Sequence, residues 1–90
     1  MPERPGIYFM RCGRFIKIGY SLEPSQRCAT IQSCNPVPVV LVGVECVSQV
    51  SWFRREQDLH AQFAALHVRG EWFRAEEPLL SYVRTHAAHI

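Results

Sequence analysis

Two tripeptides near the start of the chain, Gly6-Ile7-Tyr8 and Lys17-Ile18-Gly19, lie on apolar runs joined by a short loop at Cys12-Gly13. Both runs have strand composition, and a two-residue loop containing glycine suits a tight antiparallel hairpin. With that loop as the turn, Met10 faces Phe15, Tyr8 faces Lys17 and Gly6 faces Gly19. Directly opposed side chains share a sheet face with Cβ atoms about 5 Å apart, so a phenol and an ammonium are presented side by side. Lys17 is the only lysine of the chain. A free phenol titrates near pH 10, and only about 1% of it is phenolate at pH 8. A cation about 5 Å away in a half-buried site lowers that pKa by roughly one to two, which makes Tyr8 a plausible base.

Further along, Trp52, Leu59, Phe63 and Leu66 form an apolar helical stripe, with Arg54, Arg55, Asp58 and Gln62 mostly on other faces. Glu56 falls inside the stripe. A carboxylate taken from water costs several kcal/mol without a cation, a donor set or a metal, so it needs a partner. An arginine such as Arg27 is one candidate partner. His60, one helical turn beyond Glu56, is placed to hydrogen-bond a substrate or a metal-bound water; a structural or solvated histidine is the alternative. Arg27 follows the hairpin at the start of a helix, where guanidinium and backbone N–H groups together make an anion site. Its alternative is a surface pair with Glu23. Glu71 could cap a helix, pair an arginine or act as a second acidic ligand. Trp52, Trp72 and Phe73 read as core rather than base-stacking platforms, and Arg54-Arg55 as a solvated face that favours polyanions.

These residues need elements to hold them. Strands are expected over 6–11 and 14–20. Glu23-Pro24 opens a helix, because proline suits the first helical position and an acid suits the N-terminus. Asn35-Pro36 ends that helix. The β-branched run 37–47 reads as a third strand buried on both faces. A second helix follows over 51–66, then a turn with a short extended piece over 69–73, and a last helix over 76–87. The order ββαβαα, with a three-stranded antiparallel sheet flanked by helices, is α+β.

The chain has 90 residues with 48% apolar and 20% charged residues, which suits a single globular domain over 1–90. No run of 18 apolar residues offers a membrane span, and the start Met1-Pro2-Glu3-Arg4-Pro5 lacks a signal-peptide apolar segment, so a cytoplasmic protein is expected. Net charge is only +2, yet nine of the ten basic residues are arginine. Arginine grips phosphate bidentately and stacks on bases, so the balance permits a nucleic-acid partner without requiring one. Cys12, Cys28, Cys34 and Cys46 show no Cys-x-x-Cys spacing and read as reduced core thiols.

In this order, the residues resemble the GIY-YIG nuclease superfamily. Gly6-Ile7-Tyr8 looks like its first motif and Lys17-Ile18-Gly19 its second, followed by Arg27, Glu56, Leu59-His60, Phe63 and Gly70-Glu71-Trp72-Phe73. The last block resembles the phage and bacterial branch with a KIG motif and a terminal GEWF. The resemblance implies a metal-dependent endonuclease or nickase that hydrolyses DNA phosphodiester bonds. By it, Tyr8 is the general base or water-positioning phenol, Arg27 the phosphate clamp, and Glu56 the ligand of one Mg²⁺, with Mn²⁺ as a substitute. Lys17 and His60 are assisting groups, and Lys17, Arg27, Arg54 and Arg55 meet DNA. Gly19 lets backbone and phosphate approach closely. Two departures stand out: Lys17 stands where much of the superfamily has its second tyrosine, and Ile31 occupies a position where many members carry histidine or tyrosine. The usual late Asn is also not identifiable. A domain that has kept the fold but only binds DNA or protein is the alternative. An attached recognition domain is not seen, so a homodimer or a separate DNA-recognition partner is expected to supply selectivity.

Overall fold

In the computed structural model, which describes residues 4–87, the first hairpin turns at Gly13-Arg14, not at Cys12-Gly13. Gly13 adopts a left-handed φ of 61°, as the first residue of such a turn often must. Strands β1 (Gly6–Cys12) and β2 (Phe15–Ser21) therefore pair Tyr8 with Gly19 and Met10 with Lys17. This corrects the expected register. Moving the turn by one residue moves each partner by two, and side chains alternate faces with a period of two. Tyr8 and Lys17 thus keep a common face, but as diagonal neighbours instead of an opposed pair.

The sheet has five strands where three were expected. Strands β3 (Val40–Cys46), β4 (His67–Arg69) and β5 (Trp72–Arg74) complete the antiparallel order β3-β1-β2-β5-β4. Strands β4 and β5 are three residues each, too short for an alternating pattern to stand out in sequence. Their pairing is a tertiary effect, with β5 satisfying the β2 edge at Phe15, Ile16 and Lys17. Strand β3 is an edge strand and only partly buried, with Val40 56% exposed, so it is not the doubly covered strand that its composition suggests. That position belongs to β1, whose residues Gly6 to Met10 are all buried.

Helices α1 (Pro24–Ser33), α2 (Trp52–Gln62) and α3 (Leu79–His86) complete an α+β fold. The expected helix over 51–66 stops at Phe63, after which Ala64–Leu66 tighten into a 3-10 turn. One sheet face carries Ile7, Phe9, Ile16, Ile18 and Phe73 against Leu59, Phe63 and Leu66, with Leu79 and Val83 from α3. Burying each large apolar side chain is worth about 1.5–3 kcal/mol, so this layer holds most of the stabilisation. The other face buries Tyr8 and Met10 with Val39, and α1 adds Cys28 and Ile31. Ile31, noted as a departure in the sequence, is a packing residue here. Only two of the cysteines meet the core: Cys12 and Cys28 are half-buried against it, whereas Cys34 and Cys46 are exposed.

Helix α2 is tied down by polar contacts as well. Arg55 donates through Nε to Glu45 Oε2 at 2.5 Å and through a terminal nitrogen to the Tyr82 hydroxyl, which itself bonds Glu45. This links α2, β3 and α3. Burial and the bond to Glu45 push the Tyr82 phenol up to about 12, against about 10 when unfolded. A raised phenol stabilises the fold fully below pH 10, and that contribution is lost as pH climbs towards 12. For a half-exposed group it amounts to about 1 kcal/mol after solvent screening. Thermal denaturation from pH 8 to 12 should therefore show Tyr82→Phe less stable than wild type at pH 8, with a shallower decline above pH 10. Parallel curves for the two proteins would refute this account of the network.

Candidate active site

Gly19 is the floor of the site. It lies directly across from Tyr8 on β1, and a side chain there would collide with what lies above it. A Cβ on Gly19 would sit 2.5 Å from both Tyr8 Cζ and Glu71 Oε1, and would also strike the phenol oxygen. The space that was expected to admit a phosphate is thus filled by a phenol and a carboxylate of the protein itself.

Glu71 reaches this point from the β4–β5 turn. Gly70 takes a left-handed φ of 53°, and the Glu71 carbonyl accepts the Ile18 N–H at 2.9 Å, which fixes the turn against β2. The Tyr8 hydroxyl then donates to Glu71 Oε1 at 3.1 Å. The Lys17 ammonium lies 3.6 Å from the same oxygen and 5.2 Å from the centre of the Trp72 ring. Phenol and ammonium are therefore joined through one carboxylate oxygen and not by direct contact.

This arrangement reverses the expected effect on Tyr8. Its pKa is raised well above the usual phenol value by burial, then by the Glu71 charge and hydrogen bond, with the Arg27 charge opposing. Lys17 offsets the Glu71 carboxylate instead of drawing the proton from the phenol. Tyr8 is accordingly a neutral hydrogen-bond donor, and Glu71, not Tyr8, is the basic group of the pair.

The remaining candidates fall into two sets. Glu56, half-buried on α2, has its carboxyl pKa raised by burial and next by the Glu71 charge, while His60 acts in the other direction. His60 Nε2 lies 3.0 Å from the Ile18 carbonyl, which can only accept, so that nitrogen carries the hydrogen. Its ring meets Phe73 edge-on at 5.0 Å. Arg27 is exposed on α1, and among the described residues it pairs with neither Glu23 nor Glu56, although its charge reaches Tyr8. Tyr8, Lys17, Glu71, Glu56, His60 and Arg27 thus converge. Arg54 and Arg55 do not: Arg54 is exposed elsewhere on α2, and Arg55 is engaged with Glu45 and Tyr82.

Sequence reasoning underrated Glu71 and read Trp72 as core, whereas Trp72 is half-exposed and borders the ammonium. The adjoining Gly70 was the available signal, since a glycine-led turn aims its next side chain in a defined direction. Among the described residues, no group of three His, Cys, Asp or Glu side chains is clustered to hold a metal ion. The donor set at hand is the mutually repelling Glu56 and Glu71.

A family model described as the T5orf172 domain matches residues 4–87. No curated protein and no solved structure matches the chain. The match corrects the resemblance drawn from the motifs, because the family found for this chain is T5orf172 and not GIY-YIG.

Two substitutions test the geometry. Glu71→Gln removes the charge that raises both Tyr8 and Glu56, so NMR titration of the Glu56 carboxyl should move to lower pH. An unmoved Glu56 titration would place the two carboxylates out of electrostatic reach. Gly19→Ala should cost about 1–3 kcal/mol in denaturant unfolding, since the new methyl overpacks the site. Wild-type stability in that variant would contradict the close approach at Gly19.

Proposed function

The chain belongs to the T5orf172 domain family, and from the cluster around Glu71 we propose that it hydrolyses phosphodiester bonds in DNA. The observation that carries this reading is the sharing of one Glu71 oxygen by the Tyr8 hydroxyl and the Lys17 ammonium, beside a second carboxylate. The association of T5orf172 domains with endonuclease-like proteins of phages and bacteria supports it.

The residues divide the chemistry as follows. An attacking water loses its proton to Glu71 Oε2, while the Tyr8 hydroxyl and the Lys17 ammonium hold Oε1, so the buried phenol positions the base and stays protonated. The hydroxide so formed attacks phosphorus, and the bond to the leaving sugar oxygen breaks. Lys17 and Arg27 supply fixed positive charge for the non-bridging oxygens, where preorganised electrostatics contributes most. His60 donates its Nε2 hydrogen to the Ile18 carbonyl, which leaves Nδ1 as the accepting nitrogen; a proton taken up there from solvent passes to the leaving sugar oxygen.

Glu56 would hold a hard divalent cation such as Mg²⁺, with Mn²⁺ as a substitute, while Glu71, whose charge reaches Glu56, serves as the base. Such an ion binds through one or two carboxylates while keeping several waters, so a three-residue cluster is not required. The raised Glu56 carboxyl beside another carboxylate is the condition that a cation relieves. When bound, it would add Lewis-acid stabilisation of charge on the phosphate.

Plasmid nicking with Mg²⁺ or Mn²⁺ is the direct test. Glu56→Gln should reduce cleavage on the order of a hundredfold or more. A carboxyl raised in the folded state stabilises below its unfolded pKa and less above it, so at pH 7 this variant should melt at or above the wild-type temperature. Near wild-type cleavage under saturating Mg²⁺ would remove Glu56 from the site. DNA binding without cleavage under every divalent ion would favour a domain that only binds.

A further inference from the structure

The sheet face that carries the site is covered over one half only. Tyr8, Met10 and Cys12 share it with Phe15 and Lys17, and Trp72 joins them because it pairs with Lys17. Val39, Cys28 and Ile31 pack over the β1 half. The β2–β5 half is open: Phe15 is 42% and Val68 50% exposed, and with Cys12, Arg69 and Trp72 they line a hollow of about 350 Å³. Among the described residues, no carboxylate lines it. Among the described residues, no ion pair or side-chain hydrogen bond engages Arg69, and the Lys17 ammonium lies 5.2 Å from the centre of the Trp72 ring. Trp72 therefore borders both the polar cluster and the hollow.

We propose that this hollow seats an unpaired nucleobase of single-stranded DNA, next to the phosphate held at Lys17. The identity of the polymer rests on the phosphodiesterase reading above. Aromatic surfaces accept the π-face of any base, and cations at the rim hold the flanking phosphates, the pairing by which single strands are bound without sequence preference. A base within a duplex is paired and stacked, and cannot enter. A protein segment or a second copy of the chain would also cover Phe15 and Val68. The cation that lines the rim, however, is Arg69, which has no ion-pair partner among the described residues, and with no carboxylate among the described lining residues this matches a polyanion.

The test is binding in the absence of divalent ions, so that nothing is cleaved. A Trp52→Phe background leaves Trp72 as the single tryptophan, since Trp52 stacks on Tyr20 away from the hollow. Titration with an oligothymidylate of about eight nucleotides should quench Trp72 fluorescence. Anisotropy of a labelled strand should show Phe15→Ser and Trp72→Leu each weakening binding about five- to a hundredfold. The slope of log K against log salt should stay unchanged, because neither variant removes a charge. An abasic strand of equal length should bind more weakly than the thymidylate, a comparison that alters the ligand and leaves the protein intact. Equal affinity for the abasic strand, or preference for duplex, would overturn the proposal. So would concentration-dependent self-association abolished by Phe15→Ser, which would make the hollow a contact between copies. Base-dependent binding without any cleavage keeps the hollow and sinks the phosphodiesterase reading, whereas cleavage with base-independent binding sinks the hollow alone.

Discussion

One carboxylate oxygen organises the site. Tyr8 is 1% exposed, and a buried hydroxyl without a partner costs about 1–3 kcal/mol, so it requires an acceptor. Glu71 Oε1 is that acceptor, and its charge in turn requires a cation, which Lys17 provides. Gly19 makes the room in which all three meet. Each member answers a need created by another, and none has a sound reason to be there alone. The small β4–β5 hairpin is understood in the same terms. It adds little core beyond Phe73, but its turn delivers Glu71, and its backbone bond to Ile18 stops that turn from drifting.

The two faces of the sheet divide the work. One is sealed with aliphatic and aromatic side chains beneath α2 and α3 and gives the fold its stability. The other is only partly covered by α1, which leaves polar groups within reach of solvent. Helix α2 serves both, with Leu59 in the core and Glu56 and His60 facing the end of β2. The tie from Arg55 to Glu45 and Tyr82 holds that helix from the side away from the cluster, so the neighbouring Glu56 inherits a fixed position.

Where composition and spacing carried strong local signals, the sequence was readable. The hairpin of β1 and β2, the proline-started α1 and the amphipathic α2 all follow from turn chemistry and apolar periodicity. Long-range effects were less visible. A turn one residue further along changed every partner in the first hairpin, because Gly13 can begin the turn as well as end it. Strands β4 and β5 exist only because β2 has an edge to be paired. The shared face of Tyr8, Lys17 and Gly19 was legible, since alternation survives a two-residue slip of partners. The sign of the Tyr8 perturbation was not. It depends on Glu71, which lies more than fifty residues away in sequence and no local pattern connects to Tyr8. The arginines followed the same rule: composition marked them as polyanion contacts, but tertiary pairing decided that Arg55 serves the fold.

The solitary lysine also gives the molecule an unusual chemical address. Its amine is the only primary amine on any side chain, and it stands 22% exposed between a carboxylate and an indole. Reagents that acylate or reductively alkylate amines have one side-chain destination, and that destination is the site itself. Such a label would sit beside Glu71 without any engineered handle. Whatever occupies the site would shield the amine, so the yield of modification becomes a direct measure of occupancy.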